Sequence, residues 1–168
     1  RAMREVLPRD AIIVGDAQGW GRWPINHFPT YAGNQMLWPI HFGTLGFSVP
    51  GAIGVQAAFP GRRVIAACGD GGFLFCSNEL ATAMQHDIPI VVVLVNNNCY
   101  YSIRASQEAR YGKDRVFCAD LRNPDFVAYA ESFGCLAHRV PAPGEFEPAL
   151  REALAAGRPA LLEITFEV

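Results

Sequence analysis

Two short runs in this chain are apolar at every position, Val64-Ile65-Ala66-Ala67-Cys68 and Ile90-Val91-Val92-Val93-Leu94-Val95. A strand with one face in water alternates apolar and polar residues, so unbroken runs of this length predict strands buried on both faces, as in a parallel sheet covered by helices. Between them, residues 77–86 read as the crossover helix that a parallel pair requires. Polar residues are held back to the ends of the runs. Gly69-Asp70-Gly71-Gly72-Phe73 follows the first, and Asn96-Asn97-Asn98-Cys99-Tyr100-Tyr101 follows the second. Parallel strands finish on one sheet edge, so Asp70 and Asn97 are expected to converge although they stand far apart in the chain.

The residue types delivered there suit a metal ion and a diphosphate. Mg²⁺ takes hard oxygen ligands, one or two from protein and the rest from phosphate and water. Asp70 supplies a negative charge and Asn97 a neutral side-chain oxygen. Glycines at 69, 71 and 72 let backbone N–H groups approach a diphosphate, and a helix starting beyond Phe73 is expected to add the partial positive charge of its N-terminus. A strand, a turn and a capping Asp would account for the glycines alone. Three carboxamides at the end of an apolar strand ask for more, because each needs partners.

The rest of the chain alternates strand-like and helical segments. Residues 11–14, 136–140 and 160–166 read as strands, the last with alternating outer residues, and residues 36–42 as an apolar approach to a glycine-rich turn. Residues 1–6, 47–59 and 145–156 read as helices. A further helix starts at Asn123-Pro124-Asp125-Phe126 and closes at Gly134. Residues 108–121 are polar and mixed in charge, and read as a loop. This order predicts an α/β fold, a doubly wound, mainly parallel sheet of about six strands flanked by helices.

Length and charge narrow the function classes. The 168 residues, 51% of them hydrophobic, suffice for one core, so residues 1–168 are expected to form a single domain. Arg1 at the start, with no initiator Met, suggests a piece excised from a longer chain. The net charge is −2 and the 14 Lys and Arg residues form no run, which favours neither nucleic acid nor an acidic membrane surface. No apolar run approaches the length of a membrane span. Five cysteines without a Cys-x-x-Cys pair suit reduced thiols in the cytoplasm.

Gly-Asp-Gly followed about thirty residues later by Asn-Asn, across a helix and an apolar strand, resembles the diphosphate and Mg²⁺ motif of thiamine-diphosphate (ThDP) enzymes. Gly43-Thr44-Leu45-Gly46-Phe47-Ser48-Val49-Pro50-Gly51-Ala52-Ile53-Gly54 and Glu79-Leu80-Ala81-Thr82-Ala83 resemble two further segments of that family. The likeness covers about residues 10–140. It is to the C-terminal, diphosphate-binding domain of the acetolactate synthase and 2-oxoacid decarboxylase group, the third domain of a longer chain.

The resemblance implies roles. Asp70, Asn97 and the backbone carbonyl of Cys99 would hold Mg²⁺. Gly43, Thr44, Leu45, Gly69, Asp70, Gly71, Gly72, Asn97, Cys99, Tyr100 and Tyr101 would contact ThDP. Within that set the Gly43 carbonyl would accept from the cofactor's amino group, and the bulk of Leu45 would hold its two rings together. Leu45 also reads as a plain core residue before a helix. Asp16, after the first strand, reads equally as a diphosphate neighbour or a helix cap. His41 stands where the family carries a small residue, and is either a structural histidine or a catalytic contact to a 2-oxoacid substrate. Tyr101 replaces a usual Gly. Ser106 stands where biosynthetic acetohydroxyacid synthases carry a Trp. No counterpart of the activating glutamate is present, so a pyrimidine-binding domain, on the same or a second chain, is an expected partner, in a homodimer or tetramer. The competing reading is a non-catalytic or regulatory module of the same fold.

Overall fold

The computed structural model describes residues 1–16 and 23–166. The expected turn residues Ala17, Gln18 and Gly19, the aromatic Trp20 and the side chain of Trp23 lie outside the described residues.

The all-apolar runs become the centre of a six-stranded sheet. Its strands are β1 (Ile12–Gly15), β2 (Met36–Leu37), β3 (Val64–Gly69), β4 (Val91–Asn96), β5 (Leu136–Val140) and β6 (Ala160–Thr165). They are arranged β2-β1-β3-β4-β6-β5, and every pairing is parallel. The helices are α1 (Ala2–Val6), α2 (Trp23–His27), α3 (Ser48–Ala58), α4 (Asp70–Leu74), α5 (Leu80–Gln85), α6 (Tyr101–Tyr111), α7 (Phe126–Ser132) and α8 (Pro143–Ala155).

Successive strand residues point to opposite faces, and two apolar clusters result. Ile12, Val14, Val64, Ala66, Val92, Leu94 and Leu161 pack with Val49, Phe73, Leu80 and Phe126 from α3, α4, α5 and α7. Ile13, Ile65, Ala67, Val91, Val93, Ala160 and Leu162 pack with Leu7, Leu150 and Ala153 on the other side. Both faces of the sheet are covered, as the unbroken apolar runs require. The strand order reverses between β1 and β3, and the C-terminal ends of such neighbours open a crevice where ligands bind in folds of this kind.

Local differences from the sequence expectations have physical causes. The helix after β3 starts at Asp70 itself, as the short α4, and the segment beyond it is a 3-10 turn at Ser77–Glu79 followed by α5. Burial of Phe73 against Phe126 and Tyr129, with ring centroids 5.5 and 6.4 Å away, outweighs the poor helix propensity of Gly71 and Gly72. Residues 108–121 are not all loop. α6 runs on to Tyr111, a 3-10 turn covers Lys113–Arg115, and an antiparallel bridge joins Cys99 to Asp120. Strand β6 does not alternate: Ala160 to Glu163 are all buried, because it lies inside the sheet between β4 and β5. The approach at residues 36–42 contributes only Met36 and Leu37 to the sheet before the chain turns away. α7 starts at Phe126, the last residue of the expected start 123–126, and Asp125 caps it: its Oδ1 accepts the N–H groups of Val127 and Ala128 at 3.0 and 3.2 Å.

Candidate functional site

Register sets the site. Gly69 of β3 lies beside Val95 of β4, so Asp70, the first residue of α4, and Asn96, the last of β4, meet at one edge of the sheet. Asp70 is 2% exposed. Its Oδ1 accepts the Gly71 N–H at 2.9 Å and its Oδ2 accepts the Asn123 amide at 2.7 Å. Burial raises its pKa above the ordinary carboxylate value, and hydrogen bonds from Asn123 and from the backbone N–H groups of Gly71, Asn98 and Asn97 oppose that rise. A buried carboxylate that stays charged invites a cation.

The three carboxamides have separate fates. Asn96 Nδ2 donates to Glu163 Oε1 at 2.7 Å, and its Oδ1 accepts from Asn123 and from the Asn98 N–H. Asn98 turns the chain with a left-handed φ of 55°. Asn97 is buried with neither its Oδ1 nor its Nδ2 partnered. An idle carboxamide beside a buried carboxylate has the character of a ligand awaiting its ion.

Asp70 and Asn97 share the wall of a cavity of about 390 Å³. Gly69, Gly71 and Gly72 line its floor, and Cys99, Tyr100, Tyr101, Ser102, Ile103 and Ser106 form the side made by α6 and the turn before it. Asp16 and Leu45 close the side towards β1. Side chains are excluded from the floor: a Cβ on Gly72 would lie 2.1 Å from Asp16 Oδ2, and one on Gly71 would lie 2.5 Å from the Tyr100 ring. Asp16 is buried, and its Oδ2 and Oδ1 accept the N–H groups of Gly46 and Phe47 at 3.1 and 3.0 Å. These bonds tie the end of β1 to the turn that enters α3, and they leave Asp16 on the cavity wall beside Gly72. Gly43, Thr44 and His41 lie on the exposed turn 38–46, outside the cavity wall. Burial first, and then the Asp70 charge, push the Cys99 thiol up, so at neutral pH it presents no thiolate to the cavity.

Among the described residues no three His, Cys, Asp or Glu side chains gather as a metal cluster. A cation here would be held by one carboxylate, neutral oxygens and the oxygens of a bound anion, a donor set that suits Mg²⁺. Residues 14–164 match the family described as thiamine pyrophosphate enzyme, C-terminal TPP binding domain. The chain belongs to the thiamine pyrophosphate enzymes. This TPP-binding domain is 36% identical over 159 residues to a protein of Methanocaldococcus jannaschii described as "Probable acetolactate synthase large subunit", covering 95% of this chain and 27% of that one. It is 31% identical over 164 residues to the acetolactate synthase of Bacillus subtilis, covering 98% of this chain and 28% of that one. Among solved structures, the thiamine diphosphate-dependent 4-hydroxybenzoylformate decarboxylase of Rhodococcus jostii RHA1 superposes with a TM-score of 0.88 at 29% identity, over 99% of this chain and 31% of the other. The TPP-binding domain thus spans under a third of the length of these proteins.

The residues present fit the cofactor and its ion. The unpartnered Asn97 amide and the glycine floor, with no room for a Cβ, are the features a metal-bound diphosphate would use. Four residues around this TPP-binding site escaped the sequence reading as site residues: Asn123, Asn96, Glu163 and Arg139. A polar residue inside β6, where its neighbours are apolar, was a usable signal for Glu163, because a buried carboxylate needs a partner.

Proposed function

We propose that this domain holds ThDP by its diphosphate, through Mg²⁺, for the decarboxylation or carboligation of a 2-oxoacid by a longer, three-domain chain. The observation that carries the reading is the buried, unpartnered Asn97 amide beside the Asp70 carboxylate on the wall of a glycine-floored cavity. Asp70, Asn97 and the Cys99 carbonyl would hold the ion. The peptide groups of Gly69, Gly71 and Gly72 would face the diphosphate, with Tyr100 and Tyr101 beside it. Leu45 would bear on the cofactor rings, and Gly43 and Thr44 on the neighbouring turn would complete their seat. When bound, the cofactor supplies the electron sink for the carbanion that decarboxylation leaves. The chain's own residues position it and exclude water from its charged end.

The glutamate that activates the cofactor would come from a pyrimidine-binding domain, on this chain or a second one, within a homodimer or tetramer. His41 would contact the substrate, a ring N–H donating to a carboxylate. Ser106 leaves room where a Trp would narrow the acceptor pocket. These two residues favour a polar or bulky 2-oxoacid, and the Rhodococcus neighbour acts on an aromatic one. Unpaired cysteines suit the reducing cytoplasm, and among the described residues no helix is long and apolar enough to cross a membrane.

The test is calorimetry of ThDP binding to the full-length enzyme with and without Mg²⁺. Asp70→Ala is expected to abolish the Mg²⁺-dependent binding while leaving the fold intact. Unchanged affinity in that variant would overturn the assignment.

A further inference from the structure

Beside the cavity, five side chains close a ring. Asn123 Nδ2 donates to both Asp70 Oδ2 and Asn96 Oδ1, at 2.7 and 2.9 Å. Asn96 Nδ2 donates to Glu163 Oε1 at 2.7 Å. Glu163, 2% exposed, accepts on its other oxygen from Arg139 Nε at 2.9 Å, and Arg139 Nη2 donates to Asp125 Oδ1 at 2.8 Å. Asp125 stands two residues from Asn123, with Pro124 between them, so the ring closes through the backbone. Proline's fixed φ stiffens that closing step.

The ring joins the end of β4, β6, β5 and the start of α7, and the bond from Asn123 links it to the Asp70 side chain. One amide nitrogen thus bridges Asp70 and Asn96 and, with the backbone N–H groups of Asn97 and Asn98, sets the spacing of the two groups between which a cation would sit. Without Asn123, Asp70 Oδ2 and Asn96 Oδ1 would each lose a donor, and the Asp70 side chain would be left with its backbone N–H partners. Glu163 does not line the cavity. It acts on the site through Asn96, whose amide it orients so that Oδ1 faces Asn123 and the Asn98 N–H.

We propose that Asn123 and Glu163 are positioning residues for the metal, acting as one unit that sets Asp70 against the 96–98 turn; the proposal rests on the metal–diphosphate reading of this cavity. Groups that orient metal ligands typically matter about 10- to 100-fold in metal affinity. A ring that only stabilised the fold would lower the melting temperature and leave the affinity of the folded protein alone.

The test is Mn²⁺ binding to the full-length enzyme with ThDP present, followed by electron paramagnetic resonance, with thermal melting of the metal-free protein alongside. Wild type is expected to bind and Asp70→Ala to fail. Asn123→Ala and Glu163→Gln are each expected to weaken Mn²⁺ by about 10- to 100-fold, and the double variant by no more than the worse single one, because both act through Asn96 and Asn123. Arg139→Met, at a half-exposed position, tests the same ring should Glu163→Gln fail to fold. It is expected to weaken Mn²⁺ in the same direction. If Asn123→Ala and the ring variant bind Mn²⁺ as wild type does while Asp70→Ala does not, the positioning proposal is overturned and the metal site stands. Additive losses in the double variant overturn the idea of a single unit. If wild type binds no Mn²⁺, or Asp70→Ala binds equally well, the reading of the site itself fails.

Discussion

Asp16 and Gly72 occupy adjoining space that admits no further atom: a Cβ on Gly72 would lie 2.1 Å from Asp16 Oδ2 and 3.2 Å from its Cγ. The Asp16 side chain is short, and two backbone N–H groups already hold it. The glycine floor, the end of β1 and the entry to α3 are therefore fitted to one another through one carboxylate.

Gly72→Ala is accordingly expected to cost about 1–3 kcal/mol of stability, as overpacking does. Asp16→Ala removes the acceptor of the Gly46 and Phe47 N–H groups, at about 1–3 kcal/mol. The double variant should lose less than the two losses combined, because Asp16→Ala opens the space that the methyl group added by Gly72→Ala needs. Urea unfolding of the four proteins checks this, and strict additivity would show that the two sites are not coupled.

Alkaline pH should weaken the fold. Burial and then the Asp16 charge push the Cys76 thiol up to about 12, and burial pushes Cys135 up to about 11, from an ordinary value of 9.0. Folded-state values raised in this way favour the protonated thiol, so their stabilisation is complete below about pH 9. It is lost as pH rises from there through 11 and 12, because the unfolded chain gives up those protons first. Urea midpoints measured from pH 8 to 10.5 should fall, and Cys135→Ala should flatten the slope. An unchanged slope in that variant would remove Cys135 from the account.

Thiol labelling gives a related expectation. Cys118 is exposed while Cys68, Cys76, Cys99 and Cys135 are buried. In the folded chain at neutral pH, a thiol reagent should modify Cys118 rapidly and the other four only on unfolding. Fast modification of Cys99 would mean that the turn beside Asp70 opens readily.

Substrate choice tests the outer wall. His41 lies on an exposed turn and Ser106 lines the cavity without filling it. On a panel of 2-oxoacids the full-length enzyme should prefer bulky or polar ones, with Ser106→Trp lowering kcat/KM for these and His41→Ala lowering it on the best substrate. Efficient synthesis of acetohydroxybutyrate by wild type, or no effect of His41→Ala, would overturn the preference.

Assembly is expected to cover apolar surface. α3 buries Val49, Ala52 and Ile53 against the sheet, while Phe42, Ile40 and Phe117 are 94%, 79% and 76% exposed. Exposed apolar side chains of this size favour association. Sedimentation of the full-length enzyme should show at least a dimer, and a monomer at high concentration would count against it.

The sequence by itself determined the sheet and the edge where the polar ends of its central strands gather. An all-apolar run is a local signal for a strand buried on both faces, and the polar residues beyond it emerge at the sheet edge; the meeting of Asp70 and Asn97 on one cavity wall was legible for that reason. Local pattern also marked the start of α7 and the ends of α3. Only the tertiary structure decided the partners. Asn123 reaches Asp70 across 53 positions, Asn96 reaches Glu163 across 67, and Asp16 reaches Gly46 across 30. Such pairs depend on the order β2-β1-β3-β4-β6-β5, which puts β6 beside β4 although β5 intervenes in the chain. Strand order arises from helices covering both faces and from the closure of the core, and no short stretch of residues encodes it. The same closure made a helix of Asp70–Leu74, where two glycines alone would favour a turn, because burying Phe73 is worth more than the helix propensity those glycines lack.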